Sequence, residues 1–330
     1  MKHINNYIYD NNYIGKGTFS KVYIGYKNNN INNKFAIKKI YKKTDNKYIK
    51  YVNLEIDIMN KLNHKNIIKL YETIHTDKYV FLVLELCDTD LYTYICNNII
   101  NENDTKFIIR QIIEAIKYIM DNNIVHRDLK PHNILININT KEIKLCDFGF
   151  AKEFKDTLMS DTICGSPLYM APELLQHQKY NIKSDIWSIG IIMYEIVMKN
   201  HPFKSNNISD LIHKINNNKP ILNNSNFSKE CIELISDLLV VDYKNRLDWN
   251  ELFNNKWIYN DSVINIDNNT IYNNINTLDI FFDNDDIEEN NTIDNIYNEY
   301  VFINKPMDKN ILDTFLDSSN EIIKKIKKFI

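Results

Sequence analysis

Val125-His126-Arg127-Asp128-Leu129-Lys130-Pro131-His132-Asn133 is the stretch on which the reading of this chain turns. It sets a carboxylate, an ammonium group and a carboxamide within a few residues of one another. Fourteen residues after Asn133 comes Asp147-Phe148-Gly149, and beyond a variable stretch comes Gly165-Ser166-Pro167-Leu168-Tyr169-Met170-Ala171-Pro172-Glu173. Phosphoryl transfer asks little covalent chemistry of a protein. It needs a carboxylate to accept the hydroxyl proton, oxygen ligands for Mg²⁺, and positive charge near the transferred oxygens. These segments supply each of them in order.

Upstream, Gly15-Lys16-Gly17-Thr18-Phe19-Ser20-Lys21-Val22 lies between two strand patterns. Glycines there let the backbone approach phosphate oxygens, and the hairpin can fold over a nucleotide. On its own a Gly-x-Gly in a hairpin is more often only a turn. Lys38 closes the apolar strand Phe35-Ala36-Ile37, and Glu55 lies on the amphipathic helix marked by Val52, Ile56, Met59 and Leu62. Taken singly they read as a solvated edge lysine and a surface glutamate. Taken together they form an ion pair that can hold an ammonium group at the α- and β-phosphates.

With these motifs in place, residues 13–258 resemble the eukaryotic protein kinase domain, serine/threonine class. The resemblance implies ATP and Mg²⁺ as cofactors and a protein substrate. It implies Asp128 as catalytic base, Lys130 at the γ-phosphate, Asn133 and Asp147 as metal ligands, and Lys38 with Glu55 as the activating ion pair. Ile14, Gly15, Gly17, Val22, Ala36, Lys38, Glu85, Cys87 and Leu135 are the expected ATP-binding residues, with Leu84 as gatekeeper. Met59, Leu70, His126 and Phe148 match the apolar column linking the lobes, which makes His126 structural. Glu173, Asp185 and Arg246 are expected to be structural too: Glu173 and Arg246 as an ion pair anchoring the activation segment, Asp185 as the holder of the catalytic-loop backbone. Two departures stand out. Ser20 replaces the third glycine of the loop, and the hinge run Cys87-Asp88-Thr89-Asp90-Leu91 is one residue short, which leaves Asp90 in doubt as a ribose contact.

The fold class expected is α+β: a bilobal protein kinase fold, with a small antiparallel-sheet N-lobe carrying one main helix and a larger, mainly helical C-lobe. Strands are expected within 13–40 and 79–87. Helices are expected from about residue 104, with Asn103 or Asp104 as N-cap, and over 184–198, 208–216, 228–240 and 248–254. The kinase domain is placed at 9–258, an acidic Asn-rich linker at 259–307 and an amphipathic helix at 308–330. Residues 259–300 hold ten acidic side chains and no Lys or Arg. The apolar residues of 308–330 share one helical face, for packing on the C-lobe or docking on a partner or membrane surface. The bias toward Asn, Ile, Lys and Tyr, with arginine only at 110, 127 and 246, suggests an AT-rich genome. Five unpatterned cysteines and the absence of a signal-like start suggest a cytoplasmic or nuclear protein. No nucleic-acid partner and no transmembrane segment are expected.

Lys130 and the Gly-Ser-Pro-Leu-Tyr-Met-Ala-Pro-Glu run mark the serine/threonine class. Asp147-Phe148-Gly149-Phe150-Ala151, Cys164 to Met170, Val80 to Glu85 and Glu299-Tyr300-Val301-Phe302-Ile303 resemble the Unc-51-like, autophagy-initiating group. In the family, the arginine at Arg127 pairs with a phosphate on the activation loop. Thr162 is the expected phosphorylation site, ahead of Ser160 and Thr157, and an activating kinase is implied. Phe150 points to serine acceptors, Ile163, Pro167 and Met170 to an apolar residue after the serine, and His132 away from upstream arginine. Two alternatives stand beside this reading. A pseudokinase scaffold would normally have lost Lys38, Asp128 or Asp147. A small-molecule phosphotransferase of kinase-like fold would lack Ala171-Pro172-Glu173.

Overall fold

The structure is a computed structural model, and it describes residues 1–17, 19–28, 30–42, 46–153, 165–178 and 181–259. The expected activation-loop residues Thr157, Ser160, Thr162 and Ile163 lie outside the described residues, as do residues 260–307 of the linker expected over 259–307 and the helix expected over 308–330.

The first lobe is an antiparallel sheet built from β1 (Lys2–Ile4), β2 (Tyr7–Lys16), β3 (Ser20–Lys27) and β4 (Asn30–Tyr41). Helix α1 (Asn46–Lys61) follows, then β5 (Leu70–His75) and β6 (Tyr79–Leu84). The strand order is β1-β2-β3-β4-β6-β5. Alternation along the strands divides the side chains between two faces. Ile40, Val80 and Leu82 pack on Val52 and Ile56 of α1. Tyr9, Tyr23, Ile37, Phe81 and Val83 form a second small core on the opposite face, where the sheet coils on itself. The sequence reading began the strands at residue 13. The structure starts the sheet at Lys2, because Tyr7 and Tyr9 bury their rings in that second core.

The second lobe opens with β7 (Thr89–Asp90), α2 (Leu91–Asn97) and α3 (Glu102–Asp121). Asn101 caps α3, its side chain accepting from the Asp104 N–H at 2.9 Å. The helix cap therefore lies two or three residues before the Asn103 or Asp104 cap expected from sequence. The short strands β8 (Ile124–Val125), β9 (Ile134–Ile136), β10 (Ile143–Leu145) and β11 (Lys152–Glu153) follow, and they frame the central loops. Strands β10-β9-β7 form one sheet and β11-β8 another, so Lys152 pairs with Val125 just ahead of His126. Beyond them lie α4 (Pro172–Leu175), α5 (Ser184–Met198), α6 (Ile208–Asn217), α7 (Lys229–Leu238), α8 (Trp249–Phe253) and α9 (Lys256–Tyr259). Helix α5 is buried from Ser184 to Val197 and is the hub of the main core. Asn207, Ser228 and Asp248 cap α6, α7 and α8, the last in a full capping box with Glu251. Among the described residues no helix is long and apolar enough to cross a membrane.

Candidate active site

Between the lobes lies a cleft of about 730 Å³, lined by Ile14, Gly15, Gly17, Val22, Ala36, Lys38, Leu84, Glu85, Cys87, Leu135 and Asp147, with Asp128, Lys130 and Asn133 at its floor. That volume suits one nucleotide-sized ligand. Register puts its upper wall in place. Val22 lies opposite Lys38, and Ala36 opposite Leu84, so alternation points Val22, Ala36 and Lys38 to one face of the sheet. Gly17 donates its N–H to Ser20 O at 2.9 Å to close the hairpin, and a Cβ at Gly17 would stand 2.8 Å from Ser20 Oγ. At the hinge, the Glu85 carboxylate is drawn to Lys144 at 2.9 Å. Glu85, Leu86 and Cys87 all line the cleft there. Asp90 caps α2, its two oxygens accepting from Thr93 N and Thr93 Oγ1 at 2.9 and 2.8 Å.

Lys38 Nζ stands 2.6 Å from Glu55 Oε1 and 3.9 Å from Asp147 Oδ1. Burial would pull the lysine pKa down, but the Glu55 and Asp147 carboxylates outweigh it and hold the ammonium above its ordinary range. Burial likewise pushes the Asp147 carboxyl up, while Lys38, Lys130 and the Gly149 N–H bring it below its ordinary value. Asp147 adopts a left-handed backbone, φ 66°, a conformation that a tertiary network has to hold in place for a residue with a Cβ. Next to it, Phe148 is fully buried and meets His126 edge-on at 5.2 Å. His126 Nε2–H donates to Cys146 O, and its Nδ1 accepts from Asp128 N. Burial lowers its pKa, so the ring is neutral and props the loop. Met59 and Phe148 share one buried core, with Leu70 packed against it and His126 in contact with Phe148.

The catalytic-loop side chains form one web. Asp128 Oδ2 accepts from Lys130 Nζ at 2.8 Å and from Asn133 Nδ2 at 2.9 Å, while Oδ1 accepts from Ser166 N at 2.9 Å. Lys130 Nζ also donates to Ser166 Oγ at 2.7 Å. Asn133 Nδ2 makes a further bond to Asp128 O, which commits its nitrogen inward and turns its Oδ1 away. Ser166 is the residue that sequence reasoning missed. It was visible only as part of the Gly165–Glu173 signature, and nothing local joins it to Asp128. Gly165 makes the approach possible: it sits at φ 116°, and a Cβ there would stand 2.8 Å from Arg127 O. Arg127 itself is buried, with φ 68°. Its expected phosphate partner, on Thr162, lies outside the described residues.

Glu173 and Arg246 meet in a bidentate pair, 3.0 and 2.9 Å, with 3% and 0% of their side chains exposed. All five guanidinium N–H donors are used, the other three on the carbonyls of Val240, Lys183 and Val241. Ser184 Oγ donates to Glu173 as well. Asp185 is buried in the first turn of α5. The described cysteines, 87, 96, 146 and 231, are all free thiols. Burial pushes Cys87 up to about 12, so this hinge thiol is a packing group.

Two residues of the cleft fit a divalent cation. Among the described residues no group of three or more His, Cys, Asp or Glu converges into a metal cage. Asn133 and Asp147 instead offer an open pair of oxygen ligands, with Asp147 held ionised by the cations around it. This donor set suits Mg²⁺ shared with substrate phosphates rather than enclosed by protein.

A cleft between a glycine hairpin and a loop of paired Asp, Lys and Asn is the arrangement of a phosphotransferase. The comparisons define the class further: the protein kinase domain family matches residues 9–258, and the chain belongs to that family. It is 36% identical over 283 residues to serine/threonine-protein kinase atg1 of Dictyostelium discoideum, covering 82% of this chain and 41% of that protein. It is 37% identical to serine/threonine-protein kinase ATG1c of Arabidopsis thaliana, over 74% of this chain and 34% of the relative. Identity to myosin light chain kinase A of D. discoideum is also 37%, over 78% of this chain and 88% of the relative. The chain therefore spans less than half the length of atg1 and of ATG1c.

Proposed function

We propose that this chain is a serine/threonine protein kinase that transfers the γ-phosphate of ATP to serine and threonine hydroxyls of proteins. The observation that carries this reading is the web around Asp128. One carboxylate is fixed by Lys130, Asn133 and Ser166 at the floor of the cleft, within the same site as the Lys38–Glu55 pair. An acceptor hydroxyl entering from the Pro167–Tyr169 side meets Asp128, which takes its proton. Lys38 neutralises the inner phosphates, and Lys130 exchanges part of its bond to Asp128 for the transferred oxygens. A Mg²⁺ held by Asn133 Oδ1 and Asp147 would supply charge neutralisation across the phosphates. Glu55 positions Lys38, and Ser166 positions both Asp128 and Lys130.

The finer readings rest on sequence. Phosphorylation at Thr162, paired with Arg127, is proposed as the activating step, and serine as the preferred acceptor. The likeness to atg1 and ATG1c supports placement in the Unc-51-like group. The kinase domain is taken as 9–258, followed by a linker over 259–307 and an amphipathic helix over 308–330, for packing on the second lobe or docking on a partner. The test is phosphate transfer to a generic acceptor protein by wild type and by Asp147→Ala. Transfer is expected from the first and background from the second. Binding of ATP without transfer by wild type would favour the scaffold reading, and near-wild-type turnover by Asp147→Ala would overturn the site assignment.

A further inference from the structure

Charge is distributed very unevenly along this chain. Residues 1–84, the first lobe, hold 15 Lys against 6 Asp and Glu, a net of +9. Residues 85–258 hold 19 Lys and Arg against 23 acidic groups, a net of −4, and residues 259–330 hold 6 against 14, a net of −8. The second lobe therefore repels the segment that follows it, and the first lobe attracts it.

The positive charge of the first lobe has a focus. Lys21 and Lys39 are directly opposite across β3 and β4, on the outer face of the sheet, away from the cleft. Like charges in that position disfavour the sheet unless an anion relieves them. Lys2, opposite Tyr9 on β2, adds a third cation. Burial and the charges of Lys2 and Lys21 together lower the pKa of Lys39, with no nearby carboxylate opposing them. Among the described residues, none of the three is in an ion pair with Asp or Glu. Aromatic rings surround them: Lys39 Nζ is 3.8 Å from the Tyr79 ring centre and Lys21 Nζ 5.0 Å from that of Tyr13. Tyr13 and Tyr41 are half exposed beside them.

One segment of the chain complements that surface. Asp279-Ile280-Phe281-Phe282-Asp283-Asn284-Asp285-Asp286-Ile287-Glu288-Glu289 carries six carboxylates and four large apolar side chains, with no cation. Its tether also leaves from a favourable place. Arg110 donates through Nε and Nη2 to Ile258 O and lies 5.4 Å from the Tyr259 ring, which fixes the end of α9 on α3. Glu114, whose charge acts on Tyr259, pairs at 2.9 Å with Lys65 from the stretch that follows α1. The chain thus leaves the described structure beside the junction of the lobes. The 20 residues from 259 to 279 reach about 66 Å when extended. A domain of this length is about 46 Å across, by the usual scaling of radius with chain length.

We propose that residues 279–289 dock in cis on the outer face of the first-lobe sheet, with their carboxylates on Lys21 and Lys39 and their aromatic side chains against Tyr13, Tyr41 and Tyr79. The tether holds the segment at an effective concentration on the order of millimolar, so individually weak contacts are enough to keep it in place. The proposal is independent of the kinase reading, because the face lies opposite the cleft and its test does not use activity.

The test is zero-length carbodiimide cross-linking of the full chain, read by peptide mass spectrometry. Links from the carboxylates of 279–289 to Lys21, Lys39 or Lys2 are expected to dominate, with a yield that does not change on tenfold dilution. They are expected to fall at least fivefold in 0.5 M NaCl. The same fall is expected in Lys21→Glu/Lys39→Glu and, with less change of charge, in Lys21→Gln/Lys39→Gln. Links mainly to second-lobe lysines such as Lys117 or Lys256, or no links at all, would overturn the proposal. So would links that form between chains and fade on dilution, since these place the segment on a second copy.

Discussion

Replacing Arg246 with alanine tests whether the Glu173–Arg246 pair holds the activation segment to the second lobe. The guanidinium is fully buried and spends five donors, two on Glu173 and three on backbone carbonyls. Its loss leaves the Glu173 carboxylate, among the described residues, with Ser184 Oγ as its remaining side-chain donor, and breaking one half of a buried pair costs about 3–5 kcal/mol. Three carbonyls also lose a partner, which keeps the cost toward the upper end of that range. At roughly 2–4 °C per kcal/mol for a domain of this size, Tm should fall by about 6–20 °C. The assay is urea unfolding followed by tryptophan fluorescence, for which Trp187 is well placed: Arg246 lies 5.3 Å from its ring and the indole is buried. Arg246→Lys should recover only part of the loss, because an ammonium cannot make the bidentate pair. A double-mutant cycle with Glu173→Gln should show strong coupling. A loss below about 1 kcal/mol for Arg246→Ala, or additive single variants, would refute the reasoning.

Three further outcomes are expected. Thr162→Ala should lower phosphate transfer at least tenfold, with ATP binding retained; unchanged transfer would remove Thr162 from the activating step. A peptide-library profile should favour serine acceptors followed by an apolar residue, and one dominated by threonine or by upstream arginine would contradict the roles given to Phe150 and His132. Stability should also depend on Glu195, whose carboxyl burial pushes up to about 7 from 4.5 although Tyr169 OH bonds to it. The folded chain then holds a proton that the unfolded chain releases, so the contribution of Glu195 to stability is fully present below about pH 4.5 and is lost as pH rises through about 7. Glu195→Gln should flatten that decline in urea midpoints measured from pH 5 to pH 8, and an unchanged slope would exclude Glu195 as its source.

Contiguous motifs carried most of what could be read in advance. Asp128, Lys130 and Asn133 fall within six residues, and the loop that holds them folds so that they face one another. The Lys38–Glu55 pair was legible because a strand and an amphipathic helix sit in order between a glycine turn and the hinge. Helix α5 was legible as a mostly apolar run broken only by small and polar residues such as Ser188 and Glu195, and its limits agree with the expected 184–198 at both ends. What escaped was long-range. Ser166 reaches Asp128 across 38 positions, and no periodicity encodes that contact. The same holds for Glu102, which binds Ser228 and Trp257 from the first turn of α3. Helix α2 was too short and too mixed, with Tyr, Thr and Cys among its residues, to show a stripe. The strands before residue 13 were hidden by Asn-rich sequence, in which Tyr7 and Tyr9 are the only sign of a buried face.

The central claim is that Asp128, fixed by Lys130, Asn133 and Ser166, receives the acceptor proton during transfer from ATP. Its most direct test is the single-turnover rate of phosphoserine formation by wild type and Asp128→Asn at saturating ATP, Mg²⁺ and acceptor, with ATP affinity measured alongside. Asparagine keeps the shape of the side chain and loses the base. The account predicts a rate at least a hundredfold lower, with ATP affinity within about threefold, a margin of less than about 0.7 kcal/mol in binding. A variant that transfers phosphate at the wild-type rate would contradict it.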